Sequence, residues 1–289
     1  MKKQKKDMSF FQTARDNMTL LSATIELLTE CNWHCKHCYI PLHNHCGLPK
    51  EVVIDIFRQL RELYTFELTL TGGEIFLRTD IMDILTTARD MGFTLKLFTN
   101  LSLLTEDKIK ILSEIYIEEI SCTIFSLNDE VHDAITGVKG SLLNSMQNMK
   151  LIRKYGLPLT VKTILMKENA YEYRELKRYC DSNGFGYLAT NSIFPKNDGD
   201  TRSLNYAIDF EHLFDILPEI DKYRDFKEHE IYPHEHICEN CSNSYISIAI
   251  DTNGVVYPCN NMPISAGNIL GKDSFECDNA KVRYMLSKQ

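Results

Sequence analysis

The 289-residue chain predicts an α/β fold on parallel strands, followed by a small hairpin-bearing unit. Three observations carry that expectation. Apolar runs of strand length alternate with stretches of helix length between residues 23 and 194. The intervening stretches repeat their apolar residues every three to four positions, the mark of one buried helical face. Near the end, residues 245–257 read as two strands joined at Asp251-Thr-Asn-Gly254, and an Asn-Gly pair is a strong hairpin signal.

Residues 1–22 hold a basic cluster and then mixed polar sequence, and read as a frayed arm or a short extra element. Strands are expected at 23–30, 66–71, 94–99, 119–126, 159–166 and 187–194. Val53, Ile56, Phe57, Leu60 and Leu63 form the first helical stripe, with Pro49 suited to its first turn. Ile81, Ile84, Leu85 and Ala88 form the next, Leu142, Met146, Met149 and Ile152 another, and Tyr171, Leu176 and Tyr179 the last. Strands separated by helices of this length are joined in parallel by right-handed crossovers. Six such units make an open sheet or a partial barrel, and periodicity alone does not choose between them. The alternation stops near Asn197-Asp-Gly-Asp200. A helical stretch over 205–221 and a charged linker over 221–230 then lead to a second cysteine-bearing unit at His234.

A hydrophobic fraction of 44% is ordinary for a globular protein. The length suits one large domain, or one of about 200 residues plus a smaller one. A net charge of −8 gives no general electrostatic reason to bind nucleic acid. The basic start is followed by Asp7-Met-Ser-Phe-Phe-Gln12 with no apolar segment, so a secretion signal is not expected. No apolar run reaches the roughly 18 residues of a membrane span. Ten cysteines then favour metal or redox chemistry over a disulfide framework, in a cytoplasmic protein.

The chemistry concentrates in Cys31-Asn-Trp-His-Cys35-Lys-His-Cys38, just after the first strand, with C-x3-C-x2-C spacing. Soft thiolates select zinc, copper or iron–sulfur centres. A closed zinc site takes four ligands, and most clusters take four cysteines. Three in one loop suit a four-iron cluster with one iron left open to a substrate or cofactor. Zinc would need a fourth donor, and His34, His37, His43, His45 and Cys46 are all near in sequence. Plain structural thiols are the remaining alternative. One strand later stands Thr71-Gly72-Gly73-Glu74. Its glycines permit close backbone approach and unusual dihedrals, and Glu74 is able to accept a charge-assisted hydrogen bond from an ammonium group. A plain strand-to-helix turn has the same composition.

Together these stretches resemble the radical SAM family, whose signature is C-x3-C-x-Φ-C with Φ usually aromatic. His37 takes the Φ place as a less common ring, and the Gly-Gly-Glu is the family's second landmark. The resemblance covers most of the chain and implies a partial (β/α)6 TIM-like barrel. It implies a [4Fe-4S] cluster on Cys31, Cys35 and Cys38 and S-adenosyl-L-methionine bound at the open iron. Reductive cleavage would give a 5′-deoxyadenosyl radical that abstracts hydrogen. The implied cofactor contacts are His37, Gly72, Gly73 and Glu74, with Thr99, Asn100 and Ser126 toward the ribose. The last three equally suit helix caps or turns. In such barrels chemistry gathers at the carboxyl ends of the strands, where both landmarks fall. The stretch from Ser126 to His132-Asp133 resembles one usual in members acting on peptides, and Tyr39 reads as packing.

Cys238-Glu-Asn-Cys241, then Gly254 and Cys259, then Gly267-Asn-Ile269, resemble the auxiliary-cluster domains of the same family, the SPASM and shorter twitch forms. The hairpin would turn Cys259 back toward Cys238 and Cys241. Cys277 is the fourth ligand or a bystander, so at most one complete auxiliary [4Fe-4S] cluster is implied. A zinc hairpin on these residues is the alternative. Cys46, Cys122 and Cys180 lack ligand spacing, and the last two read as core residues. The expected division is an arm at 1–22, a partial barrel at 23–204, a helical linker at 205–230 and an auxiliary-cluster unit at 231–289.

The resemblance implies an oxidoreductase-type maturase of a ribosomally synthesised peptide, forming a cross-link or thioether, or epimerising or otherwise oxidising its substrate. It would draw on an electron donor such as flavodoxin or ferredoxin. A leader peptide would be read by a separate protein or by the barrel itself. A small-molecule radical SAM dehydrogenase or cyclase is the runner-up, and a zinc-binding interaction module is the alternative of another class.

Overall fold

The computed structural model describes residue 10 and residues 13–17, 19–209, 246–259 and 264–270. Six strands pair in parallel and in chain order: β1 (Ser22–Glu26), β2 (Glu67–Thr71), β3 (Thr94–Phe98), β4 (Glu119–Thr123), β5 (Leu159–Ile164) and β6 (Gly186–Thr190). The crossovers carry α1 (Lys50–Glu62), α2 (Ile81–Asp90), α3 (Glu106–Glu114), α4 (Asp129–Thr136), α5 (Ser141–Lys154) and α6 (Tyr173–Asn183).

The choice between open sheet and partial barrel rests on which faces are apolar. Ala23 and Ile25, Leu68 and Leu70, Leu95 and Leu97, and Val161 are buried in one core with α1, α2, α3, α5 and α6. The alternate residues Thr24, Glu26, Thr69, Lys96 and Lys162 are polar and half-buried. A sheet with helices on both sides needs apolar residues on both faces. Here the helices cover one face, and the other is a polar inner face, as in a barrel. The strand order starts at β6 and does not return to it, so the barrel is partial. On the inner face Lys96 pairs with Glu67 at 2.7 Å, and the Lys162 ammonium stands 3.7 Å above the Phe98 ring. Burial holds Lys162 below the ordinary lysine range, partly offset by Glu119 at 3.8 Å.

The sheet continues past β1. β7 (Ser247–Ile250) lies parallel to it, from Ser22 opposite Ser247 to Ile25 opposite Ile250. The expected hairpin is present: β8 (Val255–Tyr257) returns antiparallel, with Gly254 at φ +77°, and β9 (Gly267–Asn268) follows.

Several expectations change. The strand read over 23–30 ends at Glu26: Leu27 N–H still bonds Thr71 C=O, but Thr29 and Glu30 N–H turn to His45 C=O within the cysteine loop. α3 and α4 carry short stripes that the three-to-four pattern missed, yet both have capped starts: Thr105 accepts from Lys108 N–H and Asn128 from Glu130 N–H. Tyr171 is not on a buried face. It sits in a 3₁₀ turn, Ala170–Glu172, and is 71% exposed, while α6 buries Tyr173, Leu176 and Cys180. Of the stretch read as a helix over 205–221, residues 205–206 end a 3₁₀ turn (Arg202–Tyr206), residues 207–209 are not helical, and the rest lies outside the described residues.

The two faces should respond differently to truncation. Phe57→Ala, on the helix-covered side at 0% exposure against Phe93, should cost about 3–5 kcal/mol. Lys96→Ala, on the half-open inner side, should stay within about 1 kcal/mol. Urea midpoints of the two variants check the assignment of faces.

Candidate metal centre

The three cysteines lie on a loop, residues 27–48, that leaves the carboxyl end of β1 and is gripped at its base. Gly73 N–H donates to Leu28 C=O at 2.9 Å and Glu74 N–H to Glu30 C=O at 2.9 Å. A Cβ on Gly72 would lie 2.2 Å from Leu28 O, and one on Gly73 1.9 Å from Glu30 O. The close approach these glycines permit is thus to the loop's own backbone, with Gly72 at φ +130°. Arg78 completes the grip. Its Nη1 donates to the carbonyls of Leu27 (3.0 Å), Cys46 (3.1 Å) and Leu48 (3.0 Å), while Nε and Nη2 hold the Asp80 carboxylate. One guanidinium therefore ties the entry of the loop to its exit. Farther out, His34 N–H and Lys36 N–H donate to Thr136 and Ile135 at the end of α4, and Asn197 N–H donates to Tyr39 C=O.

Cys31, Cys35 and Cys38 are free thiols, each partly buried. Burial pushes Cys31 up to about 11 and Cys35 well above the usual thiol range, and charge on the neighbouring cysteines adds to both shifts. Burial also raises Cys38. As thiolates, Cys31 and Cys35 would be repelled by the neighbouring cysteines of the loop. A bound cation reverses that relation and deprotonates its thiols outright, so the donor set fits a soft, multiply charged metal group. His43 Nε2 lies 3.5 Å from Cys38 Sγ. Among the described residues no three or more His, Cys, Asp or Glu side chains gather around a single-ion position.

The predicted cofactor contacts fall beside this loop. Glu74 is fully buried, and its carboxylate accepts from Phe76 N–H (3.0 Å), Thr99 Oγ1–H (2.8 Å) and Asn100 N–H (2.7 Å). Burial raises its pKa, and those three bonds oppose the rise. Glu74 thereby ties the end of β2 to the end of β3 and stands behind the surface. Asn100 Nδ2 donates to Asn32 Oδ1, Asn32 Nδ2 to Ser102 Oγ, and Ser102 Oγ to Asn100 Oδ1, at 2.7–2.8 Å. That closed ring joins the residue after Cys31 to the end of β3. Ser126, at the end of β4, is buried; it donates to the Glu172 carboxylate and accepts from Asn128 N–H.

His37 packs edge-on against Phe125, ring centroids 5.1 Å apart, and burial lowers its pKa to about 4. Tyr39, expected only to pack, donates its hydroxyl to Glu26 at 2.6 Å across the mouth of the barrel. Sequence reading missed Arg78, Asn32, Ser102 and the Glu26–Tyr39 pair. Arg78 had a signal: Arg-Thr-Asp begins four residues after Glu74, and a buried arginine needs such a carboxylate.

Of the proposed auxiliary ligands, Cys238, Cys241 and Cys277 lie outside the described residues, and Cys259 is partly buried. β8 carries the chain back from the carboxyl to the amino end of the sheet, so Cys259 follows on the side away from Cys31, Cys35 and Cys38. Cys122 and Cys180 are core residues, as expected.

Arg78→Ala would strand Asp80 and three carbonyls, and should lower stability by about 3 kcal/mol or more, read by urea denaturation. A second expectation concerns His132, fully buried between Trp33 and Phe125. Its Nδ1 accepts from Phe125 N–H, and burial lowers its pKa from 6.5 to about 4. Below pH 6.5 the unfolded chain protonates this ring and the folded chain does not. Its contribution is therefore full above pH 6.5 and falls until about pH 4, by about 3 kcal/mol. His132→Gln should flatten the urea midpoint over that window.

Comparison with known proteins agrees with this geometry. The profile of the Radical SAM superfamily matches residues 25–180, more than half of the chain. The chain is 27% identical over 280 residues to the antilisterial bacteriocin subtilosin biosynthesis protein AlbA of Bacillus subtilis, covering 89% of this chain and 58% of AlbA. It thus spans little more than half of that relative's length. Identity is 23% over 273 residues to the AdoMet-dependent heme synthase of Methanosarcina barkeri, covering 84% and 78% of the two chains. Among solved structures, native anSMEcpe with bound AdoMet and Cp18Cys peptide superposes with a TM-score of 0.67 at 18% identity, covering 91% of this chain and 80% of that one, a likeness of fold. The profile match, with three cysteines on a clamped loop at the mouth of a partial barrel, makes the chain a member of the radical SAM superfamily.

Proposed function

We propose that the chain is a peptide-modifying radical SAM enzyme whose Cys31, Cys35 and Cys38 hold a [4Fe-4S] cluster. The observation that carries this reading is the clamped loop: Cys31, Cys35 and Cys38 sit on one loop leaving the carboxyl end of β1, and its backbone at Leu28 and Glu30 is seated against Gly72 and Gly73. When bound, the cluster and S-adenosylmethionine supply reductive carbon–sulfur cleavage and hydrogen-atom abstraction. The chain's own part is to hold and shield. Arg78 and the two glycines fix the loop, and the Asn32–Asn100–Ser102 ring and Thr99 border the place for the nucleoside. His37 and Phe125 form an apolar wall there, and Glu74 braces β2 against β3.

The substrate class follows the likeness to AlbA, a bacteriocin biosynthesis protein, and to the fold of a peptide-bound enzyme. A ribosomally made peptide, matured by a cross-link, a thioether, epimerisation or a related oxidation, is the reading it supports, with flavodoxin or ferredoxin as donor in the cytoplasm and leader recognition by the barrel or a separate protein. One auxiliary cluster, on Cys238, Cys241, Cys259 and Cys277 in a C-terminal unit beginning near residue 231, belongs to the same proposal. The heme-synthase likeness favours a second reading, a small-molecule substrate. No helix among the described residues is long and apolar enough to cross a membrane.

Iron and sulfide per chain after anaerobic reconstitution test the proposal. About eight irons, falling to about four when Cys31, Cys35 and Cys38 are replaced by alanine, match two four-iron clusters. The triple variant should cleave no S-adenosylmethionine, and retained cleavage would remove the assignment. Mass spectra of candidate precursor peptides, beside porphyrin substrates, separate the two substrate classes.

A further inference from the structure

The cysteine loop carries a side chain aimed at one ligand sulfur that the proposed function leaves unused. His43 Nε2 stands 3.5 Å from Cys38 Sγ. The imidazole is held in place: it stacks on His34 with centroids 5.7 Å apart and ring planes within 12°. Cys31 Sγ differs in kind, since its neighbour is a backbone N–H, that of Trp33 at 3.4 Å. Cys35 Sγ has a backbone hydrogen bond and, among the described residues, none from another side chain. Of the three ligands, Cys38 is thus the one with a side-chain partner on its sulfur.

We infer that His43 is a positioning residue for electron entry: its Nε2–H donates to the iron-bound sulfur of Cys38 and makes the cluster easier to reduce. The physical reason is direct. An iron-bound thiolate has no proton to give, so the contact persists as a hydrogen bond only with the hydrogen on Nε2. A donor draws electron density from the sulfur, and hydrogen bonds to cluster sulfurs are among the groups that set reduction potential. Stacking on His34 keeps the ring edge on the sulfur, as partners in the outer shell do for metal ligands elsewhere. The inference rests on Cys31, Cys35 and Cys38 being the ligands of a redox cluster.

The test is an EPR-monitored redox titration at fixed pH of reconstituted full-length chain, without S-adenosylmethionine, for the wild type, His43→Phe and His43→Gln. The phenylalanine ring keeps the stack and removes the donor; glutamine keeps a donor. With iron content equal to wild type, the midpoint potential of His43→Phe should move to more negative values and that of His43→Gln should return toward wild type. An unchanged potential in fully loaded His43→Phe would overturn the inference. Loss of iron from both variants would overturn it too, since His43 would then hold the cluster. A wild-type chain with no reducible cluster would instead defeat the ligand assignment itself, which keeps the two failures distinct.

Discussion

The site depends on the closure of one loop by one guanidinium. Twenty-odd residues leave β1 and re-enter the fold at α1, and their two ends meet at Arg78, whose Nη1 is shared by the carbonyls of Leu27, Cys46 and Leu48. A buried charge of this kind is tolerable only with its partners in place, and Asp80 supplies the carboxylate. Loop closure otherwise carries an entropic cost that grows with loop length. Here Arg78 is a fixed anchor for both ends, so the cysteines between them have a defined place.

The glycines and Glu74 belong to the same construction. Gly72, Gly73 and Gly47 each put backbone where a side chain would clash with Leu27, Leu28 or Glu30. Glu74 then spends its carboxylate on Phe76, Thr99 and Asn100. The motif therefore has a structural task, locking the ends of β1, β2 and β3 into one rim, in addition to whatever it presents to a ligand. A buried carboxylate with three donors is rigid, and rigidity in the supporting shell is what keeps a site's geometry.

Burial of the thiols acts in the opposite sense. Cys31, Cys35 and Cys38 are raised by desolvation, and Cys31 and Cys35 also by neighbouring cysteines, so burial favours neutral thiols. Metal binding must displace protons, and affinity then depends on pH. The polar inner face carries Lys96 on Glu67 and Lys162 over Phe98, while the opposite face holds the core.

Local sequence determined much of this protein. The alternation of strands and helices, the C-x3-C-x2-C loop, the Gly-Gly-Glu turn and the Asn-Gly hairpin all depend on short-range spacing and dihedral preference, so they were legible without a fold. Long-range facts were not. That helices cover one face of the sheet follows from burial on alternate residues of β1, β2, β3 and β5, a pattern that acquires meaning once the strands are side by side. Arg78 reaching across to Leu27, Tyr39 to Glu26 and His43 to Cys38 involves geometry that no spacing encodes. The hairpin was readable as two strands and a turn, but its pairing beside β1, which sends Cys259 to the far end of the sheet from Cys31, was decided by tertiary contact alone. Hydrogen-bond registers between segments more than two hundred residues apart are set by packing, and local sequence carries no record of them.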